Sequence, residues 1–447
     1  MKLKHFLLAG CSCWMLAGCT STQSKDFMSS FQSGDYSTAS QRVEKLNESQ
    51  SDTQDRLLWA LQDLTTKYWA GNHKGCIESG KRAEEIVAEY EARASASLRN
   101  IGSKLGSLVL NDSVKAYQGF PSDKILINTY KGLSYLMLGD KEGAKVELRR
   151  AAQRRKEALE TYAKAIAAAD KEAADKKIDS KSALGSAQYE AAVQQHYGQL
   201  DNLPVYNDFA NPFQVYLEGL LEGSHPSDDT ERQNSQKLFA TLKGMVQNTA
   251  ANNYADWSHQ NQRPRQVHIV YESGMAPTKM STNINVPLFI TGRLTMIHLA
   301  FPYFSFNSSG DSNLKASMGA QQVQTNILSN MDSIQGRELK LNLKTIVMSQ
   351  MASASVKAVT ENQLAQQSVY LGLAASLLNT VITSADTRSW STLPKLYSFA
   401  MIPVEGEQLM LSNSYGSTAL TLPKGNGDVF VHVRAAGNKL KAFVTSL

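Results

Sequence analysis

The sequence predicts an α+β chain of several domains: an all-α, tetratricopeptide-like helical repeat array, followed by a mixed domain with antiparallel strands and one long buried helix. Three observations carry that prediction. From Asp26 to about Lys243 apolar residues recur three and four apart in a background of Ala, Leu, Gln, Glu and Lys, the period and composition of helices. After Gln266 the period falls to two, in Val267, Ile269 and Tyr271 and again in Val429, Val431 and Val433, as in strands with one packed face. Between about Gln247 and Arg265 the composition turns to Asn, Gln, Ser and Asp, which places a boundary there. The resulting division is a signal peptide over 1–18, a tether over 19–26, the helical array over 27–250 and the mixed domain over 265–447.

The N-terminus reads as an export signal that ends in a lipid attachment site. Lys2 and Lys4 precede an apolar run from Phe6 to Leu16, shorter than the roughly 20 apolar residues of a membrane-spanning helix. Leu16-Ala17-Gly18-Cys19 then supplies small residues for a peptidase cleft and a thiol for a diacylglycerol thioether. The mature chain is expected to begin at lipidated Cys19, and the membrane to be its first partner. Thr20 and Ser21 follow, without the aspartate that retains lipoproteins in the inner membrane, so the expected address is the periplasmic face of the outer membrane.

Charge and cysteine content narrow the classes further. The net charge is +5, of which Lys2 and Lys4 leave with the signal; a dispersed balance that small argues against a nucleic-acid partner. Cys11 and Cys13 also leave, Cys19 takes lipid, and Cys76 stands alone, so the mature protein is expected to hold by packing without an internal disulfide.

Within the helical array three points look alike: Gly34-Asp35-Tyr36, Gly71-Asn72-His73 and Gly139-Asp140-Lys141. Each glycine is expected to close one helix in the left-handed conformation while a polar residue opens the next. The spacings of 37 and 68 residues approximate one and two periods of 34, and the array resembles a divergent tetratricopeptide module. That resemblance implies docking of a peptide or a helix. Trp59, Tyr68, Tyr130 and Tyr135 fall on first helices, where they are expected as core aromatics. Lys156 to Tyr189 is charged and alanine-rich, an exposed extended helix with a loop near Asp179 to Gly185. Asn211-Pro212-Phe213 opens a further helix with proline in its first turn, and Gln233 to Val246 is its expected partner.

In the mixed domain further strands are expected at Ile284–Ile290, Leu294–Phe301, Leu396–Ile402, Leu409–Ser412, Thr418–Leu422 and Leu440–Thr445. Turn signals at Gly425-Asn426-Gly427-Asp428 and Gly437-Asn438 suggest a C-terminal antiparallel meander. Leu343 to Ser384 reads as helix. Its part over 362–385 carries no charge, and Gln366, Gln367 and Asn379 make it a core helix rather than a membrane span.

Asn211-Pro212-Phe213 with Tyr216 and Gly219, Glu272-Ser273-Gly274-Met275-Ala276-Pro277 with Lys279, and Asp386-Thr387-Arg388-Ser389-Trp390 before Leu393-Pro394 are the landmarks of a wider likeness. In them the chain resembles a family of largely uncharacterised Gram-negative lipoproteins, which joins a divergent tetratricopeptide half to a β-rich half. The resemblance implies architecture and location but no reaction and no cofactor.

Motifs for chemistry are weak. Gly75 to Arg82 is one residue short of a phosphate-binding loop and ends in Arg where that loop needs Ser or Thr, so it reads as repeat helix. Ser312 and Lys315 have the spacing of a penicillin-recognising pair without its companion motifs. His268, His298 and His432 lie on expected strands and read as structural rather than as metal ligands. Asp386, Arg388 and Trp390 punctuate the junction before the last strands. They offer a partner or ligand contact, Arg388 for charge and Trp390 as a stacking face. The preferred alternative is a structural junction in which Asp386 pairs with Arg388 and Trp390 is buried. The expected function is a non-enzymatic docking or scaffold component of the cell envelope with a protein partner; the runner-up is a cell-wall or polysaccharide-directed enzyme or ligand binder acting through the mixed domain.

Overall fold

The structure, a computed structural model, describes residues 11–99, 116–175, 179–206, 209–224, 226–257, 263–290, 293–308, 311–367, 385–437 and 439–447. The first part of the chain is helical: α1 (Cys11–Gln32), α2 (Tyr36–Ser49), α3 (Arg56–Trp69), α4 (His73–Arg99), α5 (Pro121–Met137), α6 (Lys141–Asp175), α7 (Ser180–Leu184), α8 (Ala187–Tyr197), α9 (Pro212–Ser224), α10 (Asp229–Met245) and α11 (Thr249–Trp257). The three repeated glycines behave alike. Gly34, Gly71 and Gly139 have φ of 78°, 82° and 82°. In each case the glycine N–H donates to the carbonyl three residues back and the next N–H to the carbonyl five back, as in Gly71 to Tyr68 and Asn72 to Lys67. This double closure satisfies carbonyls that a helix end leaves open, and it needs φ above zero, which glycine alone adopts at little cost.

Two expectations for this part change. Residues 19–26, expected as a tether, are helical within α1. Phe27 and Phe31 anchor that helix in the core, and once a turn is fixed each residue added ahead of it brings a backbone hydrogen bond at small entropic cost. The loop expected near Asp179 to Gly185 contains the single-turn α7, capped by the Asp179 carboxylate accepting from the Ser182 N–H at 3.2 Å. The outer half of α6 is exposed as expected, but it also lies along a later helix, since Tyr162 donates its hydroxyl hydrogen to the Leu341 carbonyl at 2.7 Å.

The second part supplies β1 (Gln266–Ser273), β2 (Thr278–Ile290), β3 (Arg293–Ser305), β4 (Lys315–Met318), β5 (Gln321–Gln324), β6 (Asn326–Asn330), α12 (Met331–Gln367), β7 (Leu396–Pro403), β8 (Gln408–Ser412), β9 (Ser417–Thr421), β10 (Val429–Ala436) and β11 (Lys439–Ser446). These strands form three sheets, ordered β11-β10-β1-β7-β6, β2-β3 and β5-β4-β8-β9. The expected C-terminal meander is therefore corrected. β8 and β9 leave for the four-stranded sheet, and β10 returns beside β1, parallel to it, with Glu272 opposite Arg434. β4 to β6 were not foreseen, because Gln321, Gln322, Gln324 and Asn326 give them no apolar alternation. α12 begins twelve residues before its expected start, where the Asn330 side chain accepts from the Asp332 N–H at 2.9 Å. Most of the uncharged stretch expected as a buried helix lies outside the described residues.

The five-stranded sheet is a middle layer. Val267, Ile269, Val431 and Val433 pack against Ala316, Met318, Leu409 and Leu411 of the four-stranded sheet. On the other face Val270, Phe399 and Phe430 join Leu64, Tyr68, Leu133 and Phe213 of the helices in one core. β1 is buried along its whole length and β10 along its first six residues, so both faces are packed rather than one. The β2–β3 hairpin builds a separate core with α12 and α8, through Val286, Leu299 and Phe301 against Leu339, Leu343 and Met351.

Candidate functional site

The sheet face that meets the helices carries polar side chains at alternate positions, His268 and Glu272 on β1 and His432 and Arg434 on β10. Buried polar groups cost free energy unless paired, so their partners define what the region does. Two constellations of one design result.

In the first, the Tyr68 hydroxyl of α3 lies 2.7 Å from His432 Nδ1. His432 Nε2 stands 3.1 Å from Glu272 Oε1, close enough for charge interaction but not aligned for a hydrogen bond. Glu272 Oε1 accepts from the Tyr130 hydroxyl at 2.8 Å, and Oε2 accepts from Arg434 Nη1 at 2.7 Å. Glu272 and His432 are 0% exposed and Arg434 is 1% exposed, so the group is buried where the helices meet the sheet. Burial alone would push the Glu272 carboxyl up, but His432, Arg434 and Tyr130 outweigh it and hold the carboxyl below its ordinary value. The Arg434 guanidinium also lies over the Phe31 ring, 5.0 Å from its centroid.

In the second, the Tyr216 hydroxyl of α9 lies 2.6 Å from His268 Nδ1, and His268 Nε2 lies 3.1 Å from Asp428 Oδ2. Asp428 is also paired with Arg263 at 2.7 Å and accepts from the Gln266 N–H at 2.9 Å. Burial lowers the His268 pKa in spite of Asp428, so the ring is neutral; Nε2 donates to the carboxylate and Nδ1 accepts from the phenol. Asp428 itself is held well below the carboxylate range, burial being outweighed by His268 and Arg263. Each constellation ties a helix of the first part to a strand of the second through a tyrosine, a histidine, a carboxylate and an arginine.

The junction residues form a third tie. Arg388 grips Asp386 through Nε and Nη2 at 2.8 and 2.9 Å and reaches Asp55 of the helical part through Nη1 at 2.6 Å. Trp390 is 0% exposed, and its Nε1 donates to Thr392 Oγ1 at 3.0 Å. A stacking face at Trp390 is thereby withdrawn: the ring is core, 6.2 Å from that of Tyr130. Gln62 of α3 completes the tie by donating to Ser391 Oγ at 2.8 Å and accepting from the Thr392 hydroxyl at 2.8 Å.

The remaining candidates fall apart in space. Gly75 to Arg82 lies inside α4. Cys76 is a buried free thiol, pushed up to about 12 by burial and so held protonated. The Ser312 carbonyl accepts from the Thr325 hydroxyl at 2.7 Å, and Lys315 opens β4. His298 is exposed on β3, away from the two buried histidines, and no group of three or more His, Cys, Asp or Glu able to hold a metal occurs among the described residues. Cys19 lies on α1. The two Tyr-His-carboxylate groups were missed from sequence, though His268, Glu272, His432 and Arg434, set among apolar neighbours in two strands, were the available signal.

No protein-family model, curated protein or solved structure matches this chain.

Proposed function

We propose that the protein is an outer-membrane lipoprotein, anchored by lipid on Cys19 at the periplasmic face, that acts without catalysis as a docking or scaffold component of the cell envelope. In this reading the helical part is a divergent tetratricopeptide-like array. The observation that carries it is the seating of α1. Phe27 and Phe31 are core residues, with Phe27 edge-on to Trp59 and Phe31 edge-on to Tyr36. Eight residues of helix span about 12 Å, so a lipid on Cys19 holds the body close to the leaflet. The buried ties between helices and sheet favour a rigid platform over a hinged one. Leu138, just after α5, and Val146, in the second turn of α6, are both 45% exposed and offer apolar contacts for an envelope protein.

Crosslinking in intact envelopes tests the docking part. A partner should be recovered in constant ratio with the full-length chain and be lost when Leu138 and Val146 are both changed to Glu. Recovery unchanged in that variant would move the docking surface elsewhere, and the absence of any constant partner would remove the scaffold reading.

A further inference from the structure

A cavity of about 370 Å³ opens between the C-terminal end of α1 and the ends of β1 and β10. The parallel pairing of these strands is what creates it, since it brings their C-terminal residues, Ser273 and Arg434 among them, to the same end of the sheet. We propose that this cavity binds a neutral sugar, through Ser273, Arg434 and Asp311 as polar partners and Tyr415 as the face on which the ring stacks. The inference is independent of the anchor and of the docking surface.

Two buried polar groups line the cavity with bonding capacity left over. Ser273 is 1% exposed and its Oγ has no hydrogen-bond partner. A buried hydroxyl in that state costs about 1–3 kcal/mol, which a ligand hydroxyl would recover. Arg434 spends Nη1 on Glu272, but Nη2 is directed at Met275 Sδ at 3.6 Å, and a thioether is a poor acceptor for a guanidinium. Toward solvent stands Asp311, whose two oxygens accept from the Asn313 N–H at 2.9 Å and the Ser414 hydroxyl at 3.1 Å. Each of those oxygens keeps a lone pair for a further donor. Tyr415 is 53% exposed at the rim, and Phe31 and Tyr271 supply apolar wall.

Charge selects the ligand class. Glu272 already neutralises Arg434, and Asp311 adds a negative charge, so a phosphate or carboxylate gains nothing and meets repulsion. A neutral ligand whose hydroxyls both donate, toward Asp311 and Ser273, and accept, from Arg434, fits better. The mixed lining also asks for one apolar face. A pyranose ring has both properties, and the volume, near the lower end of the roughly 300–1,000 Å³ of ligand sites, suits a short saccharide rather than a long glycan.

The test is saturation-transfer NMR, followed by calorimetry, on the full-length chain. The probes are glucose, galactose, N-acetylglucosamine and maltose, with glucuronate, inorganic phosphate and glycine beside them. At least one neutral sugar should bind saturably. Tyr415→Ala should weaken that sugar by roughly tenfold, about 1.4 kcal/mol, with unchanged thermal melting. Ser273→Ala, which removes the hydroxyl and adds no atom, should weaken it by a similar factor. Because Tyr415 is half-exposed, its variant keeps the test valid if Ser273→Ala fails to fold. No binding by any of the four sugars, tighter binding of glucuronate, phosphate or glycine than of the sugars, or sugar binding untouched by Tyr415→Ala would overturn the proposal.

Discussion

Glu272 concentrates the energetics of single residues in this molecule. Its carboxylate answers Arg434, Tyr130 and the nearby His432 in a fully buried position. Glu272→Gln leaves a buried guanidinium without its counter-charge and should cost about 3–5 kcal/mol, read as a lower denaturant midpoint. Tyr216→Phe, which removes only a hydroxyl from His268 Nδ1, should cost about 1–2 kcal/mol in the same measurement. Two further carboxyls act in the opposite sense with pH. Burial pushes Asp123 up to about 6 and Glu338 up to about 8; Glu338 accepts from the Ser122 N–H at 2.8 Å at the start of α5. A carboxyl with a raised folded pKa gives stability that is complete below the ordinary carboxyl range and is lost as pH rises through the folded value. Glu338→Gln should therefore match the parent near pH 4 and exceed it by about 1–3 kcal/mol near pH 9 in thermal melts. His268 and Asp428, with lowered values, have the reverse sign: the stability from His268 is complete above the ordinary histidine range and that from Asp428 above the ordinary carboxyl range, and each is lost as pH falls below its own range. At this scale the sequence showed polar residues at alternate strand positions. It did not show that Glu272 and Arg434, 162 positions apart, are one ion pair, because that follows from strand order rather than local pattern.

At the scale of elements, legibility followed local chemistry. The three helix-closing glycines were readable because one backbone conformation at one position demands that residue. Gly139 has nothing within 4 Å of the place a Cβ would occupy, whereas Gly34 would meet Ala436 at 3.2 Å. Gly139→Ala should thus cost about 1 kcal/mol from backbone strain alone, and Gly34→Ala more, because the added methyl also presses on β10. Chemical denaturation of the two variants side by side checks the order. β1, β7 and β10 were readable by apolar alternation, but their pairing was not. The turn signals near Gly425 and Gly437 mark reversals of the chain without saying which strand each new segment will join. β4 to β6 escaped because their side chains are mostly polar, and the start of α12 because its cap, Asn330, lies upstream of the stretch whose composition reads as helix.

On the scale of the whole molecule, the α+β composition and the order of helices before strands follow from the change of period near Gln266. The closeness of the two parts does not. A single apolar core runs from Phe27 through Trp390 to Leu447, and the Tyr68–His432, Tyr216–His268 and Asp55–Arg388 contacts cross it or flank it. Only polar residues set in apolar strands hinted at that shared face. The junction residues Asp386 and Arg388 thus belong to the joining of the parts, and Trp390 to their common core. A body of this kind, entered by α1 through Phe27 and Phe31, places Cys19 one short helical stretch from the core. The most direct measurement is the intact mass of the N-terminal peptide from the membrane fraction, taken beside fractionation of Cys19→Ala. Lipid on Cys19 as first residue, with the variant released in soluble form, is the expected result; an unmodified Cys19 in a chain that stays with the membrane would contradict the account.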